Sequence, residues 1–243
     1  MLKTIIILQA RTGSSRLPNK VLEPIQDIPL LRHCIKRLKS IDNNVPVIVA
    51  TSVLNRDDVI VELANNEEID CYRGSETDVL DRYYKAAKQR NASYIMRATA
   101  DNMFVDVFEA RSLLDEIISG RWDYVSMIEK VNDRKLPIGV GLEAFNFYSL
   151  HESWKKGLEP NHREHVNEYI LENHEYFKIA FMDCQPENSC PELRLTIDTL
   201  EDLEFIKTML YKFNCAAFTL TTQDIIKWWK EEGIDLYSFR CRA

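Results

Sequence analysis

Basic and hydroxyl side chains cluster directly after the first predicted strand. Segment 8–20 reads LQARTGSSRLPNK, and no acidic residue occurs between positions 9 and 22 of a chain whose formal net charge is −7. Backbone N–H groups in a turn that includes glycine can form an anion-binding nest. Guanidinium and ammonium groups add the charge that holds a polyphosphate. The segment therefore predicts a phosphate site, with Arg11, Arg16 and Lys20 as its cations.

The spacing within this segment excludes two common phosphate-binding loops. Neither the GxxxxGK[ST] pattern of a P-loop nor the GxGxxG pattern of a dinucleotide site occurs there. The alternative is a solvated surface loop that happens to be basic.

Aspartates follow two later predicted strands. Asp101 comes after the run 93–99 (SYIMRAT), and Asp198 comes after the run 193–197 (LRLTI). A carboxylate at a strand end beside a basic loop is an expected place for Mg²⁺, which prefers oxygen ligands and substrate phosphates. For Asp198 the alternative is a turn residue ahead of a helix cap at Thr199.

Composition excludes several classes of protein. The net charge of −7 argues against a general nucleic-acid or membrane-surface binder, and no apolar run of bilayer length occurs. The apolar run near the N-terminus is too short for a signal peptide. Six scattered cysteines without a metal-site spacing predict reduced thiols in a cytoplasmic protein. We therefore expect no nucleic-acid or membrane partner.

These residues need a scaffold, and the first half of the chain predicts one. Apolar runs alternate with helical patterns, which favours a mostly parallel sheet with helices on both faces. The predicted strands span 4–10, 45–51, 68–72 and 93–99. The first predicted helix begins at Pro29 and carries apolar residues up to Leu38, and the next three span 56–66, 78–91 and about 107–119. Ligands bind outside the carboxyl ends of such strands, which is where segment 8–20 and Asp101 lie.

The second half is less regular. Its predicted strands span 123–127, 139–147 and 193–197, and its predicted helices span 148–157, 161–173, 199–212 and 222–232. We found no linker or repeat, so we expect a single domain over 1–243. It divides into a nucleotide-binding half (1–127), an acceptor and dimerisation region (128–192), and a metal strand with C-terminal helices (193–243).

Several motifs occur in the same order as in one known family. They are QARTGSSRLPNKVL (9–22), ATS (50–52), YRGSETDVLDRYYKAA (72–87), RATADN (97–102), REHVNEYI (163–170) and LRLTIDTLEDLEFI (193–206). In these the chain resembles the SpsF-like cytidylyltransferases of spore-coat polysaccharide biosynthesis, which are related to CMP-KDO and CMP-nonulosonate synthetases. The resemblance implies the α/β, Rossmann-like nucleotide-diphosphosugar transferase fold (glycosyltransferase-A type), with a mostly parallel central sheet.

The resemblance also implies a reaction and its site residues. CMP would pass from CTP to an acidic sugar or related small-molecule acceptor, with Mg²⁺ as cofactor and pyrophosphate released. Catalytic roles fall to Arg16, Lys20 and Asp101, and metal binding falls to Asp101 and Asp198. The implied nucleotide-binding residues are Leu8, Ala10, Arg11, Gly13, Ser14, Ser15, Arg73, Gly74, Ser75 and Asp78. Asp78 is alternatively a plain helix cap.

The implied acceptor-binding residues are Glu143, Arg163 and His165, and a homodimer is common among the relatives. Two departures concern this acceptor side. Met103 and Phe104 stand where the family usually has Pro-Leu, and the family's DxEVF reads LEAF, which retains Glu143 alone. Glu143 is equally well an ordinary strand residue, and the cluster at Arg163 and His165 is alternatively a solvated helix start.

Two other functions remain open from the sequence. A glycosyltransferase of the same fold would use a sugar nucleotide as donor, but the expected D-x-D run is absent, since Asp101 and Asp106 are five residues apart. A nucleotide-binding protein without catalysis is the second alternative, and the loss of Pro-Leu after Asn102 is its support.

Overall fold

The structure is a computed structural model that describes residues 3–128, 135–213 and 215–232. Its nine described strands are β1 (Thr4–Gln9), β2 (Pro24–Ile25), β3 (Ile28–Pro29), β4 (Val47–Ser52), β5 (Asp70–Gly74), β6 (Tyr94–Thr99), β7 (Tyr124–Ser126), β8 (Glu143–Asn146) and β9 (Ile179–Phe181). Seven of them form one sheet in the order β5-β4-β1-β6-β8-β7-β9, and β2 and β3 form a separate hairpin.

The first half of the sheet is parallel, as the sequence predicts. Strand β1 pairs in parallel with β4 and with β6, and β4 pairs in parallel with β5. Both faces of β1 are buried: Ile5 and Ile7 face one core and Ile6 and Leu8 the other. A strand covered on both faces reads as a continuous apolar run rather than an alternating one, which explains the sequence of β1. The α/β fold with a mostly parallel sheet is thus confirmed.

Helices cover both faces of the sheet. The described α-helices are α1 (Leu30–Lys39), α2 (Asp58–Asn66), α3 (Val79–Gln89), α4 (Val107–Ile118), α5 (Phe147–Lys156), α6 (Pro160–Glu164), α7 (Glu168–Glu172), α8 (Leu200–Phe213) and α9 (Thr222–Glu232). Buried side chains of α1, α2, α4, α8 and α9 pack on one face, and those of α3, α5 and α7 pack on the other. The carboxyl ends of β1 and β6 lie at the edge between these two layers.

The predicted strand 193–197 is wrong. Only Arg194 forms an isolated bridge, with Ile138, and the neighbouring backbone groups bond to loops. Leu195 N–H donates to the Ile138 carbonyl at 2.8 Å, and Ile197 N–H donates to the Asp101 carbonyl at 3.0 Å. The segment is extended, but no strand runs beside it, so it carries Asp198 to the sheet edge without joining the sheet.

Two other predictions in the second half differ from the structure. The predicted strand 139–147 begins only at Glu143, because Gly139 has φ +92° and packs against the Thr196 backbone, where a Cβ would lie 2.7 Å from the amide nitrogen. The predicted helix 161–173 divides into α6 and α7, because His165 has the extended angles φ −111° and ψ 101°. Strand β9 was not predicted.

Two expectations about composition concern the described residues. No helix among them is long and apolar enough to cross a bilayer. The cysteines that the structure describes, at positions 34, 71, 184, 190 and 215, are free thiols. Cys241 lies outside the described residues.

Candidate active site

A cavity of about 330 Å³ opens where the carboxyl ends of β1 and β6 meet the segment after β1. Nine of the residues singled out from the sequence line it: Ala10, Arg11, Ser14, Ser15, Arg16, Lys20, Asp101, His165 and Asp198. Gln9, Val21, Val79, Arg97, Thr99, Ala100 and Glu164 complete the lining. The structure therefore brings the basic segment and both predicted metal carboxylates to one cavity.

The basic segment is fixed in place by a buried carboxylate. Asp57 is fully buried and its Oδ1 accepts from the backbone N–H of Thr12 at 2.9 Å and from the Thr12 hydroxyl at 2.6 Å. The Ser52 hydroxyl donates to its other oxygen. Burial would raise the pKa of Asp57, but these hydrogen bonds outweigh it and lower the pKa below its ordinary value. Sequence reasoning missed Asp57, because its partner Thr12 is 45 residues away.

Lys20 joins the two predicted metal carboxylates. Its Nζ lies 3.0 Å from Asp101 Oδ2 and 3.2 Å from Asp198 Oδ1, and it also donates to the Ile197 carbonyl at 2.8 Å. Arg16 and Arg194 make further ion pairs with Asp198, at 2.9 Å and 2.6 Å. Burial would raise the pKa of Asp198, but Lys20 and these arginines outweigh it and lower the pKa, so this carboxylate is ionised at neutral pH.

The donor set at this place fits a divalent cation bound together with substrate. Asp101 and Asp198 offer hard oxygen ligands on either side of one ammonium group. No cluster of three or more His, Cys, Asp or Glu side chains that could hold a metal occurs among residues 3–128, 135–213 and 215–232. Mg²⁺ is commonly held by one or two carboxylates, with waters and substrate phosphates completing its shell. Two carboxylates beside a segment that is predicted to bind phosphate meet that requirement.

Residues 73–78, at the end of β5 and in the turn after it, do not line the cavity. Arg73 donates to the carbonyls of Ser52 and Leu54 and pairs with Asp58 at 2.7 Å. Ser75 Oγ accepts from the Asp78 backbone N–H, and Asp78 caps α3 by accepting from the Asp81 N–H at 2.9 Å. Gly74 packs on Arg82, where a Cβ would lie 2.8 Å from Cγ. The sequence left open whether Asp78 binds nucleotide or caps a helix, and in this structure it caps α3.

Two more predicted nucleotide contacts, Leu8 and Gly13, lie outside the cavity lining. Leu8 is fully buried inside β1, between β4 and β6. Gly13 lies against the Arg56–Glu76 ion pair, where a Cβ would be 2.6 Å from Glu76 Oε1. Neither contributes to the lining of the cavity, whereas Ala10 does.

The predicted acceptor residues divide into three cases. His165 lines the cavity. Arg163 lies beside it, donating to the Trp154 carbonyl at 3.2 Å and lying 3.7 Å from Asp78. Glu143 does not face the cavity: it is 1% exposed and accepts from Arg97, Tyr124 and Asn167. The expectation that Glu143 itself contacts the acceptor is therefore corrected, because its two oxygens are occupied by buried protein donors.

Sequence reasoning missed Gln9, Arg97 and Thr99 as cavity residues, whereas Glu164 belongs to the cluster predicted at 163–165. A signal for two of them was present, since Arg97 and Thr99 are polar residues two apart in an otherwise apolar strand. Side chains two apart on a strand point to the same face, and this pair leads directly to Asp101.

Comparison with known proteins identifies the family. A family model described as cytidylyltransferase matches residues 5–226. The spore coat polysaccharide biosynthesis protein SpsF of Bacillus subtilis (strain 168) is 35% identical over 216 residues, which is 86% of this chain and 86% of that protein. A cytidylyltransferase structure from Leptospira borgpetersenii serovar Hardjo-bovis (strain JB197) is 30% identical, covers 96% of both chains, and superimposes with a TM-score of 0.86.

A more distant structure shares the fold alone. The structure of CMP:2-keto-3-deoxy-manno-octonic acid synthetase complexed with CTP is 17% identical, covers 87% of this chain and 99% of that chain, and has a TM-score of 0.64. The family match spans nearly all of the described residues, and the cavity described above lies within it. The chain therefore belongs to the cytidylyltransferase family and is a nucleotidyltransferase.

Proposed function

We propose that this chain transfers CMP from CTP to an acidic sugar or a related small-molecule acceptor, with release of pyrophosphate, in surface polysaccharide biosynthesis. One observation carries the proposal: Arg11, Arg16 and Lys20 line the same cavity as Asp101 and Asp198. Triphosphate and divalent cation would therefore have their ligands within one site. The relationship to SpsF of Bacillus subtilis supports the pathway.

The reaction needs positioning and charge stabilisation more than covalent chemistry. An acceptor oxygen attacks the α-phosphorus of CTP in line, the bond between the α-phosphorus and the bridging oxygen breaks, and the acceptor hydroxyl loses its proton to solvent water. Pyrophosphate leaves with the bond electrons. Preorganised cations aimed at the leaving group stabilise the charge that develops there. Arg16 and Lys20 are the residues we assign to that task, and Ser14 and Ser15 to holding the phosphates.

Asp101 and Asp198 are the residues that would hold a divalent cation, for which we propose Mg²⁺. When bound, such an ion neutralises phosphate charge and lowers the pKa of an attacking hydroxyl. Before substrate arrives, Lys20 offsets the mutual repulsion of the two carboxylates. Thr99 donates its hydroxyl hydrogen to Asp101 Oδ1 at 2.5 Å and fixes the rotamer of that carboxylate.

The experiment that tests the proposal is a pyrophosphate-release assay with CTP and Mg²⁺ over a panel of sugar acids and sugar phosphates. We expect release to require CTP, an acceptor and the divalent cation together. ATP, GTP and UTP in place of CTP are the matched controls. Equal release from all four nucleotides would contradict a cytidylyltransferase, and release from a sugar nucleotide would indicate glycosyl transfer instead.

A further inference from the structure

One cation of the cavity stands apart from the others. Arg97 lines the cavity from strand β6, and its side chain is 15% exposed. Among the described lining residues, it is the only lysine or arginine outside the segment between Arg11 and Lys20. That segment already opposes a triphosphate with three cations. A fourth, placed on a different element, therefore has a different anion to meet.

Buried partners hold the Arg97 guanidinium. Its Nη1 donates to Glu143 Oε1, and Glu143 Oε2 accepts from the Tyr124 hydroxyl and from Asn167 Nδ2, the latter at 2.9 Å. Arg97 Nε is buried and has no hydrogen-bond partner within the part of the chain that the structure describes. The guanidinium is thus oriented by Glu143 and retains an N–H group that no described residue accepts.

The sheet order shows from which side this cation approaches. Strand β6 lies between β1 and β8, and Arg97 is in register with Ile7 on one side and with Glu143 on the other. The strands that complete the nucleotide-binding half, β4 and β5, lie beyond β1. Arg97 therefore belongs to the opposite half of the cavity. It precedes Asp101 by four residues, and strand β6 ends at Thr99 between them.

A buried ion pair is a costly way to build stability. Desolvation of two charges offsets much of their attraction, and apolar residues of the same volume often stabilise a fold as well or better. The Arg97–Glu143 pair is almost fully buried, since Glu143 is 1% exposed. What the pair provides is a guanidinium held in one orientation at the cavity wall.

We propose that Arg97 binds the carboxylate of the acceptor, and that Glu143, Tyr124 and Asn167 are positioning residues that orient it. A planar carboxylate matches a guanidinium edge. This inference rests on the proposed function and specifies its acceptor as a sugar acid.

The test measures equilibrium binding of sugar acids by calorimetry to protein saturated with the non-hydrolysable analogue α,β-methylene-CTP and Mg²⁺. The probes are 2-keto-3-deoxy-manno-octonic acid, N-acetylneuraminic acid and galacturonic acid, each with its uncharged primary amide. The variants are Arg97→Met, Arg97→Lys and Glu143→Gln. The matched control is Arg90→Met, which removes a partly exposed arginine paired with Asp70 at the other end of the sheet. Thermal midpoints confirm that each variant is folded.

For the sugar acid that binds wild type, we expect Arg97→Met to weaken binding by roughly 10- to 150-fold, the range for a lost hydrogen bond to a charged group. The amide should bind wild type and Arg97→Met alike, so the preference for acid over amide disappears. Arg97→Lys should keep part of the preference, and Glu143→Gln should reduce it. Affinity for the CTP analogue should stay within about twofold of wild type, as should every property of Arg90→Met.

Other outcomes overturn the inference. Three of them concern Arg97→Met: it binds the sugar acid as tightly as wild type does, it loses affinity for acid and amide equally, or it loses affinity only for the CTP analogue. A fourth is that wild type binds sugar phosphates but no carboxylate. The inference is also overturned if wild type binds none of the three sugar acids. The pyrophosphate-release assay with wild type distinguishes failure of this inference from failure of the proposed function. Arg97-dependent acid binding without release overturns the function alone, and release with uncharged acceptors alone overturns the role of Arg97 alone.

Discussion

Lys20 is the side chain on which the geometry of the site converges. Its ammonium group contacts Asp101, Asp198 and the Ile197 carbonyl, and it comes from the same segment as the other phosphate-facing cations. It thus holds together carboxylates that would otherwise repel each other at close range. When a triphosphate and its divalent cation bind, the same ammonium group is within the cavity to meet phosphate oxygens.

We expect Lys20→Met to weaken CTP binding by about 1.5–3 kcal/mol, roughly 10- to 150-fold, because a charge-assisted hydrogen bond to phosphate is lost. The loss should be larger without Mg²⁺, since Asp101 and Asp198 then face the phosphates with less neutralisation. Calorimetric titration with CTP, with and without Mg²⁺, measures both effects. An unchanged affinity would remove Lys20 from the phosphate site.

We expect Asp101→Asn to lower kcat for pyrophosphate release by roughly 10²–10³-fold, the range for removing one electrostatic stabiliser from an active site. The amide keeps the volume of the carboxyl but loses its charge, so the thermal midpoint should change little. The matched control is Asp70→Asn, which removes a half-exposed carboxylate remote from the cavity. Wild-type turnover by Asp101→Asn would exclude Asp101 as a metal ligand.

At the scale of elements, the basic segment depends on its neighbour β4. Asp57 lies in the short 3-10 helix Asn55–Asp57 that follows β4, and it binds Thr12 at the start of the segment. Because β1 and β4 are adjacent parallel strands, their carboxyl ends bring these two loops side by side. The segment that faces the phosphates is therefore shaped by an element that does not line the cavity.

We expect Asp57→Asn to lower the free energy of unfolding by roughly 1–3 kcal/mol, because buried donors from Thr12 and Ser52 lose their charged acceptor. CTP affinity should fall with it, since the segment is less firmly held. Urea unfolding and CTP titration measure the two effects, with Asp70→Asn as control. A stability loss without any change in CTP affinity would show that the anchor does not shape the phosphate site.

The same anchor makes stability depend on pH. The pKa of Asp57 is lowered in the folded protein, and an unfolded aspartate titrates near about pH 3.9. Its contribution is therefore fully present above about pH 4 and is lost as the pH falls through the folded pKa. The stability difference between wild type and Asp57→Asn should be constant from pH 5 to 8 and should shrink below pH 4. Urea midpoints across this range measure it, and a difference at pH 3 as large as that at pH 7 would contradict the charge-based account.

Elements were predictable where their partners are near in sequence or their pattern is long. The strands β1, β4, β5 and β6 and the helices between them follow from apolar runs and helical spacing, and α9 matches its predicted bounds. Strand β7 lies within its predicted bounds 123–127. Strand β9 was not predicted, because its three residues are too few for a periodic pattern. The extended segment 193–197 reads as a strand because its apolar residues are buried, yet its partners are loops.

The residues of the site were likewise predictable from local sequence pattern but not from contacts between distant segments. Arg16, Lys20 and Asp101 stand out because charge follows a buried strand. Asp57 and the link between Arg97 and Glu143 do not, because they depend on contacts across 45 and 46 residues. A carboxylate such as Glu143 reads identically in sequence whether it meets a substrate or a buried arginine, and only burial separates the two.

For the whole molecule, a bound nucleotide would connect distant parts of the chain. Arg16 and Asp198, 182 residues apart, form an ion pair at the cavity. A ligand held by both the basic segment and the Asp198 region stabilises the native state and not the unfolded one, by an amount that grows with the ratio of ligand concentration to Kd.

We expect CTP with Mg²⁺ to raise the thermal midpoint more than ATP or GTP does at the same concentration. At 100 times the Kd the linkage amounts to about 2.7 kcal/mol, which corresponds to several degrees for a chain of this size. Differential scanning fluorimetry with each nucleotide, with and without Mg²⁺, measures it. Equal shifts for all nucleotides would contradict selective binding of a cytidine nucleotide.

Hydrogen bonds to loops hold segment 193–197 in place, and they determine when the site is completed during protein synthesis. Chains are made from the N-terminus, and early segments begin to fold before later ones emerge. A nascent chain that has released β1, β4, β5 and β6 already carries the basic segment and Asp101. It lacks Asp198 until the last fifth of the sequence leaves the ribosome and docks on Ile138 and Asp101. We therefore expect nascent chains to be unable to consume CTP, so that turnover begins only after Asp198 has left the ribosome.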